Sequence, residues 1–146
     1  MARSRRSRET LTETMRIDPA AHAAVTSDGR WQSFLYALAG VLYAVRHQRN
    51  TWIMGCATVA MIAVAVWLDV SRIEWAMLVL ATGLVWVTEF LNSAIEAVVD
   101  VASPGLHPMA KVAKDVAAGA VLTAAYIALV IAVIILGPDL VDRLGG

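Results

Sequence analysis

The residues with the clearest capacity for chemistry form a polar stripe in an otherwise apolar stretch of the chain. Three carboxylates and one carboxamide recur at intervals of three or four residues, at Glu89, Asn92, Glu96 and Asp100. This spacing places them on one face of an α-helix, and Ser93 flanks the same face. Several carboxylates on one face repel each other unless a cation lies among them, and oxygen ligands suit Mg²⁺ best. The stripe therefore predicts a cation site or a site of acid–base chemistry.

The depth of this stripe in a membrane sharpens the prediction. The segment from Trp75 to Thr88 carries no charge and is typical of a membrane helix. An ionised carboxylate at membrane depth costs about 2.5 kcal/mol or more, so Glu89 is expected to face a cavity, a partner or a cation. Glu96 and Asp100 also have a simpler interpretation, in which they mark the end of the helix at the water. Glu89 lies too deep for that interpretation.

Composition indicates an integral membrane protein. The 146 residues are 59% hydrophobic and 16% charged, which is too apolar for an ordinary soluble domain. The formal net charge is +0 and gives no sign of nucleic-acid binding. The single cysteine, Cys56, excludes an internal disulfide framework.

The pattern of apolar runs predicts an all-α fold with one surface helix and three membrane spans. An amphipathic segment with polar ends is typical of a helix in the membrane interface, and uncharged runs of about 18 residues or more are long enough to span. A basic extension over residues 1–29 is expected to be disordered, ahead of a membrane domain over 30–146. The predicted elements are the surface helix over 30–50 and spans over 51–68, 73–99 and 116–136.

The distribution of basic residues predicts the orientation in the membrane. Ten of the twelve Lys and Arg residues lie in the N-terminal segment or between the second and third spans. Since basic loops stay on the cytoplasmic side, the N-terminus is expected inside and the C-terminus outside. Glu96, Asp100, Lys114 and Asp115 would then all face the compartment that contains ATP.

Three stretches of the chain resemble a known family. The segment from Glu89 to Asp100, Glu-Phe-Leu-Asn-Ser-Ala-Ile-Glu-Ala-Val-Val-Asp, is similar to the signature of the prokaryotic diacylglycerol kinase / undecaprenol kinase family. Trp67-Leu68-Asp69-Val70 and Ala113-Lys114-Asp115 are similar to two further family motifs. Members are small integral-membrane lipid kinases, and the resemblance covers roughly residues 30–136.

The resemblance implies an ATP-dependent kinase of the bacterial inner membrane. It further implies Mg²⁺ as cofactor, a membrane lipid alcohol as acceptor, and a homotrimer whose protomers share their sites. It also implies roles for matching positions: Glu89 is catalytic, Glu96 holds the metal, Lys114 and Asp115 bind the nucleotide, and Tyr36, His107 and Asp100 lie near it. Asn92, one turn from Glu89, is expected to orient that carboxylate or to bind a phosphate oxygen of the nucleotide, with Ser93 in support on the same face.

Gln48 departs from the family pattern. The family has a glutamate at this position as a second metal ligand, whereas this chain has a glutamine. A glutamine can coordinate through its carbonyl oxygen but brings no charge, and metal affinity rises with ligand charge. We therefore expect a high Mg²⁺ requirement.

The stretches that bear on the identity of the acceptor resemble two different branches of the family. Gln48-Arg49-Asn50, Pro108 and Lys111 resemble the undecaprenol branch. Trp67-Leu68-Asp69-Val70 and Asn92-Ser93-Ala94 resemble the diacylglycerol branch. We expect diacylglycerol, with undecaprenol as the alternative.

Two other classes of function fit parts of the sequence. Intramembrane acids often relay protons, so Glu89 could belong to a small cation- or proton-coupled transport subunit. A catalytically inactive relative that acts in assembly would explain Gln48. Lys114-Asp115 favours the kinase, because a proton relay has no need of this pair at the membrane surface. The chain contains neither a P-loop nor a Gly-x-Gly-x-x-Gly motif, so the soluble kinase classes that carry these motifs are excluded.

Overall fold

The computed structural model describes residues 29–47, 49–105 and 107–145. In these segments the chain forms helices and no strand, which confirms the predicted all-α class. The predicted extension over residues 1–29 lies outside the described residues apart from Gly29. The helices are α1 (Arg30–His47), α2 (Arg49–Leu68), α3 (Arg72–Ala102) and α4 (Pro108–Gly145).

Three of these helices are long and apolar enough to cross a membrane. The candidate spans are Asn50–Leu68 in α2, Arg72–Ala102 in α3 and Pro108–Gly145 in α4. Their outer faces expose large apolar side chains, such as Leu80 and Leu122, each 73% exposed. Exposed apolar surface on this scale suits contact with lipid rather than with water. The predicted order of one preceding helix and three spans is confirmed.

The chain divides into two compact units, one ending at Leu38 and the other beginning at Ala39. In the first unit, the rings of Trp31 and Phe34 stack at the start of α1 with their centroids 5.6 Å apart. The second unit holds the end of α1 and all of α2, α3 and α4, and α3 packs most extensively against α4. The predicted domain boundary at residue 30 stays a prediction.

A tight turn between α2 and α3 sets how these two helices align. Asp69 adopts a left-handed conformation with φ 55°, and the amides of Asp69 and Val70 donate to the carbonyls of Val66 and Ala65. These two bonds close α2 in a Schellman motif. Ser71 then opens α3 with a capping box, in which its own amide donates to Glu74 Oε2 at 2.7 Å. The turn brings the start of α2 beside the second half of α3.

A small apolar core holds the three spans together near this turn. It draws on all three spans and on the turn, and partly buried side chains such as Trp75 and Leu140 pack against it. Its location leaves the opposite ends of α2, α3 and α4 available for polar side chains. The buried members are Ala65, Leu68, Val70, Leu78 and Ile135.

The fourth helix is longer than the predicted span at both ends. Lys111, Lys114 and Asp115 lie on α4 itself, and the expectation that this helix ends with the predicted span at residue 136 is wrong, because α4 continues through Pro138 to Gly145. A proline removes one backbone hydrogen bond and crowds the preceding turn. Leu136 and Leu140 pack against the apolar core on either side of Pro138, and this packing keeps both segments helical.

Candidate active site

The acidic face of α3 passes from a buried to an exposed environment along its length. Glu89 is 1% exposed and Asn92 is 7% exposed. One and two turns further on, Glu96 is half-buried and Asp100 is exposed. This gradient agrees with a helix that leaves the membrane near Asp100, and it puts Glu89 in the driest position of the four.

The buried polar atoms on this face are not all satisfied. Asn92 Nδ2 donates to Glu96 Oε1 at 3.1 Å, but Glu89 Oε1, Glu89 Oε2 and Asn92 Oδ1 have no hydrogen-bond partner among the described residues. A buried acceptor without a partner costs about 1–3 kcal/mol, and more if it is charged. Three such oxygens on adjacent turns indicate a site that is completed by a ligand, a proton or a cation.

Asn50 is a site residue to which the sequence assigned no role. Its side chain lies on α2 near the Glu89 carboxylate of the neighbouring helix, without a hydrogen bond of normal length between them. Asn50 opens the apolar run of the first span, and a carboxamide at the start of such a run was the available signal. Its partner could not be identified from the sequence, because the contact depends on how α2 and α3 align.

Ser93 has a local partner. Its hydroxyl donates to the backbone carbonyl of Glu89 at 3.0 Å, which is a common arrangement for serine inside a helix. This hydroxyl does not contact the carboxylates, and the supporting role of Ser93 stays a prediction.

The polar residues at the start of α4 meet the end of α3. Lys114 Nζ contacts Asp100 Oδ1 at 2.5 Å, and Lys111 pairs with Asp115 one turn away on the same helix. Both ion pairs are largely exposed to solvent, and exposed pairs of this kind contribute only about 0–1 kcal/mol. The lysines can therefore exchange these partners for a more highly charged anion at little cost.

A polar cleft of about 350 Å³ lies between these two helix ends. Its lining includes Asp100, His107, Lys111, Lys114 and Asp115. His107 caps α4, because its Nδ1 accepts from the Met109 amide at 3.2 Å. The cleft thus combines two lysines with the amino end of a helix, and both favour a bound anion.

Two further residues, Tyr36 and Gln48, were predicted to belong to this site. Tyr36 lies on the part of α1 that belongs to the first unit, and its side chain is 57% exposed. Gln48 lies outside the described residues. The predicted roles of Tyr36 in nucleotide binding and of Gln48 in metal binding stay predictions.

The donor set on this chain fits Mg²⁺ in type. Within residues 29–47, 49–105 and 107–145, no group of three or more His, Cys, Asp or Glu side chains could hold a metal. Mg²⁺ is usually held by only one or two carboxylates together with substrate phosphates and water. Glu96 and the unpaired Asn92 Oδ1 are oxygen donors of the required kind.

These features define a helical membrane protein. Its acidic face runs along a membrane-spanning helix and ends beside a lysine-lined cleft that suits an anion. The profile of the prokaryotic diacylglycerol kinase family matches residues 35–136, which is well over half of the chain. The protein belongs to this family. Family membership and the three apolar helices together make it a bacterial membrane protein of the lipid kinase class.

Individual relatives come from both branches of the family. The chain is 46% identical over 111 residues to a diacylglycerol kinase of Synechocystis, covering 75% of this chain and 63% of the relative. It is 37% identical over 110 residues to the undecaprenol kinase of Bacillus subtilis, covering 75% and 89%. With the diacylglycerol kinase of Escherichia coli K12 the identity is 37% over 95 residues, covering 60% and 78%. None of these similarities supports the transport-subunit interpretation.

Proposed function

We propose that this protein transfers the γ-phosphate of ATP to the hydroxyl of a membrane lipid alcohol. Diacylglycerol, which gives phosphatidic acid, is the preferred acceptor, and undecaprenol is the alternative. The observation that carries the proposal is the acidic face of α3, which runs from the buried Glu89 carboxylate to the Asp100–Lys114 pair at the anion cleft. A lipid hydroxyl and a nucleotide could meet along such a face.

Glu89 is the residue proposed to accept the proton of the lipid hydroxyl. As the oxygen of that hydroxyl bonds to the γ-phosphorus, its proton passes to the carboxylate, and the bond from the γ-phosphorus to the bridging oxygen breaks to release ADP. Phosphoryl transfer depends mainly on positioning and on charge neutralisation, so a buried base aimed at the acceptor suffices. Asn50 faces the same carboxylate and is suited to orient it.

Lys114 is proposed to neutralise the nucleotide phosphates, with Asp115 and His107 contacting the nucleotide nearby. In the structure Lys114 is paired with the exposed carboxylate of Asp100. A triphosphate offers more negative charge than this single carboxylate, so the lysine gains by exchanging partners. Asp100 would thereby hold the lysine in position before the nucleotide binds.

Glu96 and Asn92 are proposed to hold Mg²⁺, with Gln48 as a neutral ligand. When bound, the metal would neutralise charge on the phosphates. The bond from Asn92 Nδ2 to Glu96 Oε1 fixes the carboxylate orientation and leaves Asn92 Oδ1 available. The rise from Glu89 to Glu96 is roughly 10 Å along the helix, which allows the two carboxylates separate roles.

We further infer a homotrimer with shared sites, in line with the family resemblance. The described part of one chain supplies three spans to a site that must accept a nucleotide and a lipid together. The unpaired oxygens of Glu89 and Asn92 are consistent with a site that is incomplete on one chain.

The proposed orientation predicts that the C-terminus lies outside the cytoplasm, because the basic residues concentrate on the other side. An alkaline phosphatase fused after Gly146 should be active, and a green fluorescent protein in its place should remain dark. Fusions at Gly105, between α3 and α4, should give the reverse result. Fluorescence from the C-terminal fusion would contradict the placement of the acidic face on the ATP side.

Transfer of labelled phosphate tests the proposed function directly. We expect purified protein in mixed micelles with Mg²⁺ and γ-labelled ATP to move label into the organic phase when diacylglycerol is present, and to a smaller extent with undecaprenol. Reversal of that order would select undecaprenol as the acceptor. Absence of label with both lipids would refute the lipid kinase assignment for this chain.

A further inference from the structure

Two apolar grooves run along the spans beside the acidic face. The three-helix groove, of about 400 Å³, lies between α2, α3 and α4 and is lined by Met54, Thr58 and Leu78 among others. The α2 groove, of about 560 Å³, follows another face of α2 from Thr51 to Ala63. Both volumes are in the range of small-molecule sites, which is about 300–1,000 Å³.

Trp86 lies at the boundary between the two grooves, which follow different faces of α2. Of the described residues, it alone contributes to the lining of both. Its indole N–H donates to Thr58 Oγ1 at 3.1 Å across the contact between α3 and α2. The Phe90 ring lies 5.8 Å from it, tilted by 58°. A large ring held from two sides forms a fixed partition.

The Thr58 hydroxyl is committed to this arrangement. It donates its own proton to the Met54 carbonyl at 2.8 Å, so its oxygen is oriented to accept from Trp86. The bond joins two helices within apolar surroundings, where a polar group without a partner would be costly. The position of the indole is therefore determined by α2 as well as by α3.

Both grooves begin close to the Glu89 carboxylate. Trp86 precedes Glu89 by one helical turn on the same face, and Thr51 follows Asn50, whose side chain faces that carboxylate. Counted from Trp86, the three-helix groove extends roughly 12 Å along α3 to Leu78. Counted from Thr51, the α2 groove extends roughly 18 Å along α2 to Ala63. Each runs away from Glu89 into the membrane-spanning part of the bundle.

We infer that Trp86 is a specificity-determining residue that selects an acceptor with two hydrocarbon chains. With its hydroxyl at Glu89, such a lipid places one chain on each side of the indole, one in each groove. A single-chain alcohol fills only one groove and gains nothing from the partition. The inference rests on the proposed function and names the residue that discriminates between acceptors with one and with two hydrocarbon chains.

The test compares two acceptors that share a glycerol headgroup, dioleoylglycerol and monooleoylglycerol. Trp86→Leu removes the partition, and we expect kcat/KM for dioleoylglycerol to fall about tenfold, a size typical of altered apolar pockets. For monooleoylglycerol we expect a change of less than about twofold, with KM for ATP unchanged. Thr58→Val removes the hydrogen bond but keeps the ring, and should shift the same ratio in the same direction by less.

Trp75→Leu is the matched control, because Trp75 lies on the same helix and packs against the apolar core near the α2–α3 turn. It should lower both acceptor activities in proportion. The ratio is measured within one preparation and does not depend on the folded fraction. If Trp86→Leu does not fold, Thr58→Val tests the same ratio.

An equal loss with both acceptors, or an unchanged ratio, would overturn the inference while leaving the kinase assignment intact. Wild-type activity confined to single-chain alcohols would also overturn it. Transfer by the wild type to no lipid at all would instead show that the proposed function is wrong.

Discussion

Glu89→Gln is expected to lower turnover about 10²-fold or more, because the variant loses the general base for the lipid hydroxyl. Glutamine keeps the shape of the side chain and can still accept and donate hydrogen bonds, but it cannot take up the transferred proton. Affinity for ATP should change little, since the nucleotide is proposed to bind near Lys114. Initial rates with diacylglycerol and direct binding of a non-hydrolysable ATP analogue measure the two effects separately.

The stability of this variant provides an independent check. Glu89 is 1% exposed, and neither of its carboxylate oxygens has a partner among the residues that the structure describes. Replacing a buried, unpaired acid by a neutral amide lowers the desolvation cost of folding. The midpoint of thermal unfolding in micelles should therefore stay the same or rise while turnover falls.

Glu74→Gln serves as the control for Glu89→Gln. Glu74 lies at the opposite end of the same helix, where its carboxylate accepts from the Ser71 amide at 2.7 Å. A glutamine oxygen can accept the same bond, so activity should remain near that of the wild type. Near-normal turnover in Glu89→Gln would show that another group removes the proton.

The sequence predicted the parts of the site that depend on local geometry. The spacing of Glu89, Asn92 and Glu96 determines that they share a helix face, whatever the rest of the chain does. The burial of Glu89 followed from the uncharged run before it, and the exposure of Asp100 followed from its position near the end of the helix. The structure agrees with both expectations.

The parts that were missed depend on contacts between elements. The approach of Asn50 to Glu89 requires the alignment of α2 and α3, which the Asp69 turn and the Ser71 cap determine together. The Lys114–Asp100 pair depends on how α4 returns beside α3. The sequence prediction also ended α4 too early. Local propensity takes no account of the packing of Leu136 and Leu140 on either side of Pro138.

Glu96→Gln is expected to lower turnover about 100-fold, because it removes the carboxylate proposed to hold Mg²⁺ where Gln48 supplies no charge. This substitution removes the negative charge of the side chain and nearly preserves its shape. Glutamine retains a carbonyl oxygen that can accept the bond from Asn92 Nδ2, which now joins Glu96 Oε1 at 3.1 Å. The half-maximal Mg²⁺ concentration should rise, since affinity for this cation increases with ligand charge.

A graded series separates a lost metal ligand from a general disturbance of α3. Glu96→Asp keeps the charge on a shorter side chain and should fall between the wild type and Glu96→Gln in both turnover and Mg²⁺ dependence. Binding of Mn²⁺ with a non-hydrolysable ATP analogue, followed by electron paramagnetic resonance, reports on the metal without turnover and should weaken in the same order. A charged metal ligand cannot lose its charge without lowering the affinity of the site for the metal. If Glu96→Gln loses activity with unchanged Mn²⁺ affinity, Glu96 therefore acts directly on the phosphates or the acceptor and not through the metal.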